Sequence, residues 1–271
     1  MQRYVSEKEF TSLTEEQRVM LANCIHKDVA DVTDILDKPI KRRSSFYNDV
    51  IKRGFDFTIA LIAFIILLPI NLIIAIVTFF DVGCPIIFKQ RRIGRNGKMF
   101  NMIKFRNMTN ETDENGTLLM PEERITKWGR FVRKTSLDEL LNLLCIIKGD
   151  MSIIGPRPMP EKYKNRFSKN HYQRHNVRPG LECPFHNKKL ASKGWQGRFE
   201  NDLWYVKHIG FITDVKMFVL LVKKVLSKKE REESASGKTG EFMGYDKRGK
   251  AIDSNCIPRK YLEELMSNQH R

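Results

Sequence analysis

Between Phe57 and Phe80 the chain runs through 24 residues without a charged side chain, FTIALIAFIILLPINLIIAIVTFF, and any fold must accommodate that stretch. As a straight helix it would extend roughly 36 Å, enough to cross a bilayer. Two residues argue against a simple crossing. Pro69, near the middle, removes a backbone hydrogen bond, and Asn71 places a polar amide at depth. Basic residues also flank both sides, with Lys41, Arg42, Arg43, Lys52 and Arg53 before and Lys89, Arg91, Arg92, Arg95 and Lys98 after. Positive flanks favour the cytoplasmic side. A helix that enters the membrane, breaks at Pro69 and returns satisfies both observations. An ordinary kinked span is the alternative, since prolines also occur in true spans.

The remainder of the 271 residues is strongly charged, 30% overall, with a formal net charge of +16. That pairing suits a basic domain held against an anionic surface by an apolar anchor. Nucleic acid is the other standard partner of a basic protein, but Lys and Arg are spread along the chain and the apolar stretch argues against it. The five cysteines (Cys24, Cys84, Cys145, Cys183, Cys256) are odd in number and contain no Cys-x-x-Cys pair. They suggest a reducing, cytoplasmic setting rather than a disulfide framework or a zinc site. The first fifty residues hold no apolar core, so no cleavable signal peptide is expected.

These features predict an α+β chain: a mainly helical cytoplasmic domain with a small β element, anchored by the Pro-broken re-entrant membrane helix. Residues 1–45 read as a helical appendage, in which Thr14 and Gln17 have capping-box spacing and Leu21, Ile25 and Val29 follow at helical intervals. Residues 46–83 are the membrane segment and 84–227 the main domain. In that domain, strands are expected at 85–88 and 100–105, and helices near 121–133, 137–147 and 211–226. The last of these is amphipathic enough to lie in a lipid interface or to serve as a core helix. Residues 228–271, rich at first in Lys, Glu, Ser and Gly, read as a mobile tail ending in a helical turn or two.

The chemistry concentrates in residues 133–158, RKTSLDELLNLLCIIKGDMSIIGPRP. Ser136 and Glu139 have capping-box spacing, in which case Asp138 only favours the positive end of a helix. The same placement suits catalysis. A carboxylate in a first helical turn, with Arg133 and Lys134 nearby, is expected to be held ionised, able to bind a divalent cation or attack phosphorus. In Gly155-Pro-Arg157-Pro, two prolines fix one guanidinium, a planar fork suited to phosphate oxygens. Val177-Arg178-Pro-Gly180 repeats the device, and Lys104 and Arg106 add positive charge on a strand. A re-entrant helix, an acidic pair and several fixed arginines together fit phosphoryl transfer at a lipid surface.

Taken in order, Lys52-Arg-Gly-Phe-Asp56, the Pro69 break, Phe88-Lys-Gln-Arg-Arg92-Ile-Gly94, Lys104-Phe-Arg-Asn-Met108, Ser136-Leu-Asp-Glu-Leu140, Lys148-Gly-Asp-Met-Ser152, Gly155-Pro-Arg-Pro158, Arg178-Pro-Gly180 and Asp202-Leu-Trp-Tyr-Val206 resemble the bacterial sugar transferase family. These are small monotopic phosphoglycosyl transferases that prime capsule, O-antigen and glycoprotein glycan synthesis. The resemblance covers roughly residues 50–226. It implies that Asp138 is a nucleophile attacking the sugar-bearing phosphate of a UDP-sugar, with release of UMP, and that the phosphosugar then passes to polyprenyl (undecaprenyl) phosphate. Glu139 would complete the catalytic dyad. Mg2+ held at Asp138 would neutralise the diphosphate, and Arg157, Arg133, Lys104 and Arg178 would contact phosphate. The resemblance also implies a place at the bacterial inner membrane, with the catalytic domain on the cytoplasmic face of the bilayer. Self-association is left open.

One stretch departs from the family's pattern. After Pro179-Gly180 the family usually continues Thr-Gly-aromatic-x-Gln-Val and ends Asn-Gly-Arg, whereas here the chain reads LECPFHNKKLASKGWQGRFEND. The cluster Trp195-Gln196-Gly-Arg198 is a displaced counterpart at most. The departure bears on the donor sugar, and it keeps open a non-catalytic scaffold that binds anionic lipid or nucleotide sugar. Cys183, His186 and His175 fall in or beside this stretch without any standard metal-ligand spacing.

Overall fold

The computed structural model describes residues 3–36, 39–40, 46–114, 116, 118–227 and 239–269. Lys41, Arg42 and Arg43 therefore lie outside the described residues. The chain starts with α1 (Glu7–Ser12), α2 (Glu15–Asp28) and the single turn α3 (Ala30–Thr33). The capping box expected at Thr14 forms: its Oγ1 accepts from the Gln17 amide while the Gln17 side chain accepts from the Thr14 amide. Leu21, Ala22 and Ile25 then bury one face of α2.

The apolar stretch folds as two helices, α4 (Lys52–Ile66) and α5 (Leu68–Val82), which together with the turn before them are bent by 61°. No single helix among the described residues is long and apolar enough to cross a membrane. The break falls at Leu67, and Pro69 sits in the first turn of α5, where its missing N–H breaks no helical bond. Asn71 is 5% exposed, and its side-chain amide donates to Leu67 O at 3.1 Å. Ile66, Leu72, Ile73 and Phe80 meanwhile face outward, Phe80 with 81% of its surface free. This is the reverse of a soluble helix pair, which hides its apolar side and shows its polar one.

Both ends of the bent pair are tied to one body. At its start, Lys52 meets Asp214 at 3.2 Å, and Asp56 accepts from the Ile153 amide at 3.1 Å. At its end, Asp81 accepts from Thr126 Oγ1 at 2.6 Å, and Thr78 from Trp128 Nε1 at 3.2 Å.

Strands β1 (Ile87–Ile93) and β2 (Met99–Phe105) form an antiparallel hairpin in register from Ile87↔Phe105 to Ile93↔Met99. The helix expected over 121–133 is two pieces, α6 (Pro121–Arg124) and α7 (Lys127–Thr135), with Thr126 capping the second. Beyond a 3-10 turn comes α8 (Asn142–Lys148), then β3 (Ser152–Ile154), α9 (Lys169–Tyr172) and β4 (Gly180–Glu182), which pairs in parallel with β3. The helices α10 (Lys188–Ala191), α11 (Gly194–His208) and α12 (Phe211–Leu226) follow. Among the described residues, three two-stranded sheets beside many helices bear out the α+β expectation at that level.

The last segment corrects an expectation. Residues 239–269, read as part of a mobile tail, fold into the hairpin β5 (Phe242–Tyr245) and β6 (Ala251–Asp253) and the helix α13 (Arg259–Gln269). Phe242, Met243 and Tyr245 are fully buried, and Tyr261, Leu262 and Leu265 pack with Leu21 and Ile25 of α2. The polar composition that suggested mobility belongs mostly to 228–238, outside the described residues. The N-terminal helices are likewise no separate appendage. They share a core with this C-terminal segment and adjoin the aromatic cluster of Tyr163, Phe167 and Phe199.

Candidate active site

The site is assembled on α7. Its N-cap Thr126 accepts from the Gly129 amide at 2.8 Å while donating to Asp81, which fixes α7 on the end of α5. Gly129 allows α7 to lie directly against β2's continuation, since a Cβ there would stand 2.0 Å from Asn107 O. Any side chain would push the helix away.

Ser136 ends α7 in the left-handed conformation, with φ 57°, and the chain turns through a 3-10 segment, Leu137–Glu139. The expected Ser136–Glu139 capping box is absent: Ser136 makes no side-chain cap bond there. A capping serine needs extended backbone, and the reversal at Ser136 removes it. The reversal turns Asp138 inward, to 4% exposure, and Asn107 Nδ2 donates to its Oδ2 at 2.9 Å.

The expectation that Arg133 and the helix end would lower the pKa of Asp138 is also corrected. Burial, then the charge of Glu139, raises its carboxyl to about 6, and Lys104 and Arg133 only partly oppose this. Removing a carboxylate from water outweighs nearby cations that remain partly solvated.

Glu139 is engaged by Arg157, whose Nη2 donates to Oε1 at 2.5 Å and whose Nη1 donates to Leu181 O at 3.1 Å. Burial pulls the Arg157 guanidinium down, but Glu139, Glu182 and Asp138 outweigh it, so its pKa is raised. Lys104 is pulled down by burial, against the attraction of Asp138 and Glu139. The fold thus brings Asp138, Glu139, Arg157, Lys104 and Arg133 together.

Arg178 is placed elsewhere. Its Nε donates to Gly149 O at 3.2 Å and its Nη1 to Asn48 O at 3.3 Å, beyond the end of α8 remote from Asp138. Burial, then Arg95 and Arg53, lowers its pKa against the opposing charges of Asp49 and Asp56, and neither Asp138 nor Glu139 is among these neighbours. These bonds tie the end of α8 to the chain entering α4, so the structure does not bring Arg178 to the acidic pair with Arg157 and Lys104.

Sequence reasoning passed over two members of the site. Asn107 stands in the KFRNM run but carries no charge to mark it. Arg92 is brought to about 10 by burial and then by Arg157, and its Nη1 donates to Pro158 O at 3.0 Å. The signal for both was their place inside a recognised run, whereas their partners are distant in sequence.

In the divergent stretch, His186 stacks on Trp204 at 3.9 Å and pairs with Asn201, while His175 Nδ1 meets Tyr172 O at 2.9 Å. Cys183, His186 and His175 therefore build no metal centre, and no cluster of three or more His, Cys, Asp or Glu able to hold a metal occurs among the described residues.

Known proteins match the same part of the chain. The sequence profile of the family described as bacterial sugar transferase matches residues 47–228. The chain belongs to this family. Among its relatives in the bacterial sugar transferases is the uncharacterised sugar transferase EpsL of Bacillus subtilis strain 168, 41% identical over 177 residues, covering 65% of this chain and 88% of that protein. The UDP-glucose:undecaprenyl-phosphate glucose-1-phosphate transferase of Xanthomonas campestris pv. campestris is 34% identical over 194 residues, 68% of this chain and 40% of the relative. The UDP-N-acetylgalactosamine-undecaprenyl-phosphate N-acetylgalactosaminephosphotransferase of Aeromonas hydrophila is 30% identical over 185 residues, 65% of this chain and 44% of the relative. This bacterial sugar transferase thus spans most of the Bacillus protein but less than half of the two longer ones. Helices α1 and α2, the hairpin β5–β6 and α13 all lie outside the family match.

Proposed function

We propose that this bacterial sugar transferase moves a sugar 1-phosphate from a UDP-sugar to polyprenyl phosphate, undecaprenyl phosphate in a bacterial membrane, releasing UMP. The observation that carries the reading is the buried Asp138, set beside Glu139 and faced by Lys104, Arg133 and the Glu139-bound Arg157. The names of the Xanthomonas and Aeromonas relatives supply the substrate class.

In this reading a carboxylate oxygen of Asp138 attacks the sugar-bearing phosphorus. The bond from that phosphorus to the bridging oxygen breaks, and UMP departs with the oxygen and its electron pair. An oxygen of polyprenyl phosphate then attacks the same phosphorus and frees the Asp138 carboxylate, leaving a polyprenyl diphosphate sugar. Asn107 orients Asp138 by holding one of its oxygens. Lys104, Arg133, Arg92 and Arg157 supply preorganised positive charge where phosphate oxygens gather. Glu139, pinned by Arg157, keeps the nucleophile's pKa near neutrality and so preserves its basicity.

Magnesium fits this donor set, because it takes hard oxygen ligands and commonly binds through one or two carboxylates plus substrate phosphates. Asp138 would hold it, and the ion would neutralise charge on the donor diphosphate.

A bilayer is the fitting environment, with α4 and α5 as a re-entrant pair. The outward apolar surface of the pair supports this, as does the attachment of both its ends to one body. Ile212, Phe218 and Val225 extend the apolar surface along α12. The basic flanks support a place for the catalytic body on the cytoplasmic face of the inner membrane. The test is UMP release from a panel of UDP-sugars with undecaprenyl phosphate and magnesium. Release that depends on the donor and on Asp138 is expected. No release from any donor, with the protein folded, would overturn the reading.

A further inference from the structure

We infer that Arg174, held by Asp202, is a positioning residue that sets the main chain of Arg157; the inference rests on the phosphate-binding role proposed for Arg157. Four consecutive carbonyls around that residue are each clamped. Pro156 O accepts from the Gly180 amide at 3.1 Å, Arg157 O from Arg174 Nη2 at 2.8 Å, Pro158 O from Arg92 Nη1 at 3.0 Å, and Met159 O from the Ile93 amide at 2.9 Å. With Pro156 and Pro158 fixing φ on either side, the guanidinium of Arg157 leaves a backbone with little freedom.

Arg174 is 1% exposed and Asp202 2% exposed, so neither is placed to touch a substrate. Oδ2 of Asp202, on α11, accepts from Arg174 Nε at 2.9 Å and from Nη2 at 2.7 Å. Arg174 also lies over the rings of Phe199 and Phe167, at 5.7 and 5.8 Å. A buried ion pair adds little net stability by itself. What this one does locally is aim a third bond at Arg157 O. The planar guanidinium holds both acceptors in a fixed fork, a geometry that the rotating donors and flexible stem of lysine do not impose.

A double-mutant cycle on the full-length protein tests this. Turnover is read as kcat/KM for UMP release in wild type, Arg174→Lys, Arg157→Lys and the double variant, beside Tyr245→Phe as a stability control. Tyr245 meets His171 at 2.9 Å, outside the proposed site. Arg174→Lys is expected to lower kcat/KM about tenfold in the wild-type background and by less than about twofold when Arg157 is already lysine. The control is expected to retain kcat/KM at a matched loss of thermal midpoint. Equal losses of Arg174→Lys in both backgrounds, or an equal loss in the control, would overturn the inference. If Arg174→Lys does not fold, Asp202→Asn takes its place in the same cycle, with the same pattern required. Wild-type protein without UMP release would instead overturn the reading on which the inference rests, and is seen before any variant is assayed.

Discussion

Arg157 donates from Nη2 to Oε1 of Glu139 at 2.5 Å, so the guanidinium expected at a phosphate is bound to the neighbour of Asp138. Asp138 itself has the uncharged amide of Asn107 as its side-chain partner. The two adjacent carboxylates therefore sit in different electrostatic surroundings, one paired with a guanidinium and one left costly to ionise.

Glu139→Gln removes the like charge beside Asp138 and should shift its titration downward from about 6. Infrared titration of the metal-free protein, following the Asp138 carboxylate band, reads this directly. An unchanged midpoint would mean that burial alone sets it.

Asp138→Asn should abolish turnover while leaving the fold intact, because amide and carboxylate have nearly the same shape. It should also stabilise the protein at alkaline pH. The Asp138 carboxyl is raised from 3.8 to about 6 on folding. Its favourable contribution is thus fully present below the lower value and lost as pH rises through the higher one. Above that, wild type carries a buried charge that D138N lacks. The difference should reach about 3 kcal/mol near pH 8 and vanish below about pH 4, measured by denaturant unfolding. Equal stabilities at both pH values would refute the burial argument.

Gly129→Ala should cost about 1–3 kcal/mol and lower UMP release, because the new Cβ meets backbone rather than a movable side chain. Gly54→Ala, in α4 where nothing lies within 4 Å, should instead be neutral or stabilise by up to about 1 kcal/mol. Thermal midpoints of the two variants give the comparison, and similar losses would count against the close approach of α7.

Pro69→Ala combined with Asn71→Leu should reduce the bend at Leu67, since the pair loses the restricted proline and the amide bond to Leu67 O. A cysteine placed at Phe46 and labelled in inverted and right-side-out vesicles checks the consequence. In the parent protein it should react on the same side as one placed at Phe211. In the double variant that shared sidedness should weaken. Labelling of the two positions from opposite sides in the parent would rule out the re-entrant arrangement.

Local and periodic features were legible in the sequence itself: the proline-broken apolar stretch, the capping box at Thr14, the amphipathic helix over 211–226 and the ordered motifs of the family. Each depends on residues within a turn or two of one another, or on the order of short runs. The tertiary structure decided which groups those motifs meet. Asp138 rises toward neutrality because residues remote in sequence bury it, and Glu139 turns from its own helix to Arg157, 18 residues on. Arg178 is drawn to Gly149 and Asn48, away from the acidic pair. The segment after residue 238 becomes core because α2, more than 200 residues earlier, offers Leu21 and Ile25 to Met243 and Leu265. Burial and partnership come from chain segments far apart, and periodicity cannot report them.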